Sequence, residues 1–363
     1  MSATSIKRIL IMAGGTGGHV FPALAVAKYL ALQGWQVKWL GTAERMEAQL
    51  VPQHGFDIEF IDIKGVRGNG IIRKLAAPFK IMRSILQAHR VIRHFKPDVV
   101  LGMGGFASGP GGIAAKLSGI PLVLHEQNAI AGMTNKLLSK IATQVLCAFE
   151  GTFKTTEAMT VGNPIRRELV VLGENKQYAS DDSLKLLVVG GSLGAKVFND
   201  VMPSVLDNIG KTHSMTLWHQ VGRNNLKTVH HEYQQLGLEG SVKVTEFIDD
   251  MEAAYAWADV VVCRAGALTV SELAAVGLPS LLVPYPHAVD DHQTKNAQVL
   301  VKAGAAFLLP QPIVTVEKLT SKLVLLATQR QALNQMGQRA RDVAVVDATE
   351  QVANVCIKLA EKV

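Results

Sequence analysis

Six residues near the start of the chain, Gly14-Gly15-Thr16-Gly17-Gly18-His19, constrain its fold more than any other stretch. The run before them, Ile9-Leu10-Ile11-Met12-Ala13, is continuously apolar and predicts a strand buried on both faces. Behind the glycines, apolar residues at 20, 21, 24, 26, 27 and 30 predict a helix over 20–32, with Pro22 in its first turn. Strand, glycine loop and helix in that order turn bare backbone N–H groups and a helix N-terminus toward an anion. Two common phosphate loops are excluded by the spacing. A dinucleotide fingerprint begun at Gly15 needs glycine where Val20 stands, and the next strand, 36–40, ends at Gly41 with no acid for a ribose. No Gly-Lys-Ser/Thr follows, so the loop is not a P-loop.

The same pattern returns in the second half. Residues 184–189 are strand-like and lead into Gly190-Gly191-Ser192-Leu193-Gly194-Ala195, 176 residues after the first loop. Further strands are predicted at 56–63, 97–103, 121–124, 214–220, 242–247, 260–263 and 280–283, alternating with helical segments such as 44–54. That order means parallel sheets, so the fold class is α/β with two Rossmann-like, doubly wound domains. A chain of 363 residues is long enough for two cores. Val161-Gly162-Asn163-Pro164 reads as the crossing. The predicted domains are 1–163 and 164–341, with the last helical region, interrupted near Asp347, returning to the first domain over about 342–363. Between the two halves lie a second glycine loop, 102–112, with six glycines in eleven residues, and the polar tip His125-Glu126-Gln127-Asn128. Such tips belong to the ligand edge of an open parallel sheet.

Charge is distributed unevenly. Up to Asn163 there are 18 Lys and Arg against 9 Asp and Glu; beyond it the counts are 19 against 21. Between Lys64 and Lys96 stand nine basic residues and no acid. Ile72, Leu75, Phe79 and Met82 recur there at spacings of three and four, with Lys80 and Arg83 among them, predicting a basic amphipathic helix or two broken at Pro78. Each such cation near an anionic bilayer is worth about 1 kcal/mol, so the segment is suited to a membrane surface. Nucleic acid is the competing polyanion, but the segment has no Tyr or Trp and matches no recognition motif. No apolar run nears the roughly 18–20 residues of a membrane span. Cys147, Cys263 and Cys356 are far apart, which indicates neither a disulfide framework nor a zinc site, and a reduced, cytoplasmic protein is expected.

Residues 258–273 are strand, glycine turn and helix, with Thr269 and Glu272 on one helix face. Together with the loops at 14–19, 102–112 and 190–195, the tip at 125–128, Gly162-Asn163-Pro164-Ile165-Arg166, Phe247-Ile248-Asp249-Asp250-Met251 and residues 291–297, this order closely resembles the bacterial transferases that add N-acetylglucosamine to undecaprenyl-diphospho-muramoyl-pentapeptide. These are nucleotide-sugar glycosyltransferases of the GT-B type, whose two domains face each other across a cleft. The resemblance spans essentially the whole chain. It implies an inverting transfer from UDP-N-acetylglucosamine in peptidoglycan synthesis, at the cytoplasmic face of the inner membrane, alongside other cell-wall synthesis proteins. It also implies roles. Ile248 would hold uracil and Glu272 the ribose. Arg166, Ser192 and the helix start at Ala267, Leu268 and Thr269 would face the donor diphosphate, with Val270 and Ser271 also binding the donor and Gln293 and Asn128 on the sugar. Thr16, Gly17 and Gly18 would also touch the donor, while Gly14, Gly15, Gly104, Gly105 and Ser108 would hold the acceptor diphosphate. His19 is the candidate base and Glu126 its rival. No metal or other cofactor is required, although His287, Asp290, Asp291 and His292 could ligate an ion. The alternatives are a UDP-sugar transferase with another lipid acceptor and a UDP-N-acetylglucosamine epimerase.

Overall fold

The computed structural model describes residues 6–63, 71–178 and 183–362. The chain forms two compact units, residues 1–166 with 345–363, and residues 167–344. The first carries seven parallel strands: β1 (Arg8–Met12), β2 (Gln36–Gly41), β3 (Asp57–Phe60), β4 (Val99–Gly102), β5 (Leu122–Glu126), β6 (Gln144–Cys147) and β7 (Met159–Thr160). Their order is β3-β2-β1-β4-β5-β6-β7. The second carries β8 (Leu184–Val189), β9 (Met215–Gln220), β10 (Val242–Thr245), β11 (Val260–Cys263), β12 (Ser280–Leu282) and β13 (Ala306–Leu308), also parallel, in the order β10-β9-β8-β11-β12-β13. Each order reverses beside its first strand, and ligands of such sheets bind where that reversal opens a crevice at the strands' carboxyl ends. Both halves therefore place a glycine loop at a switch point: 14–19 after β1, and 190–195 after β8.

Alternation along β1 explains why it reads as an unbroken apolar run. Ile9 and Ile11 pack with the helices Gly17–Leu32 and Ala348–Ala360, while Leu10 and Met12 pack with the helices Ile71–Phe95 and Ser108–Leu117 on the other face. The final helix buries Val352, Ala353, Cys356 and Ala360 in the first unit's core. The chain changes unit at 166–167 and again at 344–345, against predicted boundaries of 163–164 and about 342.

Several predicted elements shift. The first helix starts at Gly17, so Pro22 falls in its second turn rather than its first. The second helix shortens to Glu47–Gln53 and the strand after it to β3, since Ile61 to Ile63 leave the ladder. Strand β5 runs on through His125 and Glu126, which makes half of the expected polar tip interior. The basic segment is one helix, Ile71–Phe95, continuous through Pro78. Its side chains at Ile72 and Leu75 lie outside the described residues. Further along it, Ser84, Ala88, Ile92 and Phe95 are buried, whereas Phe79, Met82 and Leu86 are 80%, 57% and 57% exposed. Steps of three and four put those three on one face, about opposite Ser84. Arg83 is not without an acid, because it meets Asp62, just outside the basic run, at 3.0 Å. Among the described residues no helix is long and apolar enough to cross a membrane.

Candidate active site

The first glycine loop is held from inside. Trp39 Nε1 donates to Ala13 O at 2.8 Å, and Ser108 Oγ donates to Met12 O and Gly104 O at 3.0 and 2.8 Å. Glu47, 1% exposed, accepts Gly15 N–H at 2.9 Å on Oε2, and Thr42 N–H and Oγ1 at 3.1 and 2.7 Å on Oε1. Three sequence expectations change here. The Gly15 N–H is committed to a carboxylate rather than to a phosphate. The Ser108 hydroxyl is fully buried and braces the loop. Gly14 and Gly105 are needed for close packing: a Cβ on Gly105, which has φ +89°, would stand 2.5 Å from Gly14 O. None of this was legible, because Glu47 reads as an ordinary acid on a short helix. Thr16 precedes the helix Gly17–Leu32 without a side-chain cap, so the first-turn N–H groups at Gly17 and Gly18 have no partner from that side chain.

His19 lies on this loop with its Nδ1 3.0 Å from Gly14 O. A carbonyl only accepts, so Nδ1 carries a hydrogen, and of the two neutral tautomers this selects the one whose lone pair is at Nε2. A Cβ on Gly104 would stand 3.0 Å from that Nε2, so the imidazole lies against the second glycine loop. The two loops are thus in contact, with His19 between them.

Glu126 sits differently. It is 3% exposed, and Oε1 accepts Asn128 N–H and Nδ2 at 3.0 and 3.2 Å. Oε2 accepts Gly132 N–H at 3.0 Å and Asn135 Nδ2 at 2.9 Å. A carboxylate has about four lone-pair sites, and four donors occupy them. The rival base is therefore a bracket for the loop after β5, and it holds Asn128 by both backbone and side chain. His125, fully buried, donates from Nε2 to Gly162 O at 2.8 Å, and Asn163 Nδ2 donates to Gln127 O at 3.1 Å, tying the crossing to this edge. Arg166, half-buried, ends the first unit.

In the second unit the loop after β8 is clamped by Gln220, whose Oε1 accepts Gly190 and Gly191 N–H at 3.1 and 3.0 Å. Its Nε2 donates to Gly191 O and Glu246 O at 2.9 and 2.7 Å. Ser192 is exposed at the loop's apex. Gln220 ends β9, and the rule applied to the β5 tip would have found it. Gly266 opens the helix Ala267–Val276, which carries Leu268, Thr269, Val270, Ser271 and Glu272 and closes at Gly277 in the left-handed region. Arg264, missed as a contributor, donates to the carbonyls of Val283 and Pro284 at 3.3 Å and to Gln311 Oε1 at 2.7 Å. Ile248, 6% exposed, precedes the helix Met251–Trp257. Gln293 accepts Tyr285 N–H at 2.9 Å on Oε1. Among the described residues no three His, Cys, Asp or Glu converge as a metal site; Asp291 instead accepts from Thr294 Oγ1 at 2.6 Å.

Two buried histidines make stability pH-dependent. Burial pulls His125 down to about 4, against smaller opposing contributions from its bond to Gly162 and from the Glu126 charge. Burial alone pulls His219 down to about 3. Unfolding restores a value near 6.5, so below that pH the unfolded chain binds protons that the native chain does not. Stability is full above pH 6.5 and falls as pH drops toward 4. The expected loss is about 2 kcal/mol per unit between pH 6.5 and 5. Urea titrations at the two pH values check this, with His219→Phe flattening the second unit's share; no pH dependence in the wild type would contradict it.

The comparisons with known proteins follow the same division. The glycosyltransferase family 28 N-terminal domain matches residues 9–147 and the corresponding C-terminal domain matches residues 185–352. UDP-N-acetylglucosamine–N-acetylmuramyl-(pentapeptide) pyrophosphoryl-undecaprenol N-acetylglucosamine transferases from Shewanella pealeana and Shewanella halifaxensis are each 79% identical over 357 residues, covering 98% of either chain. The crystal structure of Acinetobacter baumannii MurG superposes with a TM-score of 0.81 at 44% identity, covering 97% of this chain and 99% of that one. Matched along both halves and at these identities, the chain belongs to glycosyltransferase family 28, among the N-acetylglucosamine transferases of the MurG type.

Proposed function

We propose that this chain transfers N-acetylglucosamine from UDP-N-acetylglucosamine to the 4-hydroxyl of undecaprenyl-diphospho-N-acetylmuramoyl-pentapeptide, inverting the anomeric carbon and releasing UDP. The full-length match to transferases so named carries the reading. In the reaction the acceptor oxygen forms a bond to the sugar's anomeric carbon, the bond to the UDP oxygen breaks, and the hydroxyl proton passes to His19 Nε2. The Gly14 carbonyl supports that role by fixing the tautomer that leaves Nε2 basic. Negative charge developing on UDP is met by Ser192, Arg166 and the N-terminus of the helix Ala267–Val276; one well-aimed donor of this kind is worth about 3–4 kcal/mol. Ile248 holds uracil and Glu272 the ribose, while Gln293 and Asn128 hold the sugar. On the first unit's own loop, Thr16, Gly17 and Gly18 are assigned to the donor by the family resemblance. The acceptor diphosphate is held by the loop at Gly104 and the start of the helix Ser108–Leu117, since the N–H of Gly15 is already engaged. No cofactor enters this mechanism.

The polyprenyl acceptor lives in a bilayer, and the face formed by Phe79, Met82 and Leu86, with Lys80 beside it, is suited to the anionic surface of the membrane's cytoplasmic leaflet. Flotation with anionic vesicles checks this: Phe79→Ser with Met82→Ser is expected to lower bound protein several-fold without changing UDP affinity. Retention equal to wild type would rule the face out. The reaction itself is tested with radiolabelled UDP-N-acetylglucosamine, offered with the undecaprenyl acceptor and without it. Label is expected in lipid only when the acceptor is present; consumption of donor alone would favour an epimerase.

A further inference from the structure

Glu272 does not meet its ligand from an unsupported helix. Tyr255, 2% exposed, donates its hydroxyl to Glu272 Oε2 at 3.2 Å, with Glu272 itself only 8% exposed. Tyr255 belongs to the helix Met251–Trp257, which begins three residues after Ile248. That helix is fixed at both ends. Asp250 Oδ1 accepts Ala253 N–H at 2.9 Å, and Lys176 Nζ donates to the carbonyls of Tyr255, Ala256 and Ala258 at 3.0, 2.6 and 2.7 Å. An ammonium on three carbonyls at a helix C-terminus satisfies both their hydrogen bonding and the helix dipole. The terminal torsion of a glutamate is intrinsically broad, so a buried phenol bound to one oxygen restrains the plane of the carboxylate.

We propose that Tyr255 is a positioning residue for the donor's ribose: it locks the Glu272 carboxylate to the helix that follows the uracil loop, and so sets the preference for ribonucleotide over 2′-deoxyribonucleotide sugar donors. This rests on the reading of Glu272 as the ribose ligand. A carboxylate held in one plane accepts two adjacent hydroxyls together, whereas a rotating one accepts them poorly. Removing the phenol oxygen alone keeps the ring's packing, so Tyr255→Phe isolates the bond.

The experiment is steady-state kinetics with UDP-N-acetylglucosamine and its 2′-deoxyuridine analogue, using wild type, Tyr255→Phe, Glu272→Ala and the double variant, with melting curves on each. Tyr255→Phe is expected to raise the donor KM about tenfold, to leave kcat within about twofold and to cut the ribo-over-deoxy preference about tenfold. In the Glu272→Ala background the same change is expected to add nothing. Equal losses with both donors would make Tyr255 a packing residue and overturn the proposal. An unchanged preference in Tyr255→Phe, with that preference lost in Glu272→Ala, would overturn it while sparing the ribose reading. An unchanged preference in Glu272→Ala would overturn both.

Discussion

Replacing His19 with alanine is expected to lower turnover by about 10²–10⁴-fold, the usual worth of a positioned general base, while donor affinity stays within about twofold. The asymmetry follows from where the ring sits. Its Nδ1 is tied to Gly14 O, within its own loop, and its Nε2 faces the second glycine loop in the unit that carries the candidate acceptor site. Steady-state kinetics with UDP displacement measured alongside separates the two parameters. Equal losses in turnover and donor affinity would make His19 a binding residue. Gly104→Ala is a second route to the same ring, because a methyl group there would stand 3.0 Å from Nε2 on a backbone held at φ +95°. It should lower turnover in the same direction.

Glu126→Ala is expected to cost about 4 kcal/mol of stability in the first unit. Four N–H donors from Asn128, Gly132 and Asn135 would lose their acceptor in a site only 3% exposed, and each orphaned buried donor costs about 1–3 kcal/mol. Glu126→Gln should also destabilise, because its amide would turn hydrogens toward hydrogens on at least one side. Chemical denaturation measures both. The opposite pattern, unchanged stability in Glu126→Gln with turnover lost, would restore Glu126 as the base and demote His19.

The difference between these two residues shows where sequence reasoning stops. Both were legible as polar residues on the carboxyl side of parallel strands, Glu126 at a strand's tip and His19 in the glycine loop after one, since local period and glycine placement are written in consecutive residues. Which of them keeps a lone pair for substrate depends on donors brought in from elsewhere: Gly132 and Asn135 for Glu126, Gly14 for His19. Gly15 shows the same limit. Its glycine identity and its place after β1 suggested a bare N–H, but Glu47, 32 positions on, already occupies it.

The sequence by itself determined the two α/β halves, the repeated glycine loops, the family and the basic segment. These depend on side-chain periodicity, on glycine's conformational freedom and on the ordered spacing of motifs, all of which are local or additive along the chain. Only the tertiary structure decided which polar groups are committed and which are presented. It put Tyr255 on Glu272 and Gln220 under the loop at Gly190, and it faced Phe79 and Met82 away from the core. Hydrogen bonds between residues far apart in sequence and burial in a shared core arise from three-dimensional proximity, which no linear pattern encodes.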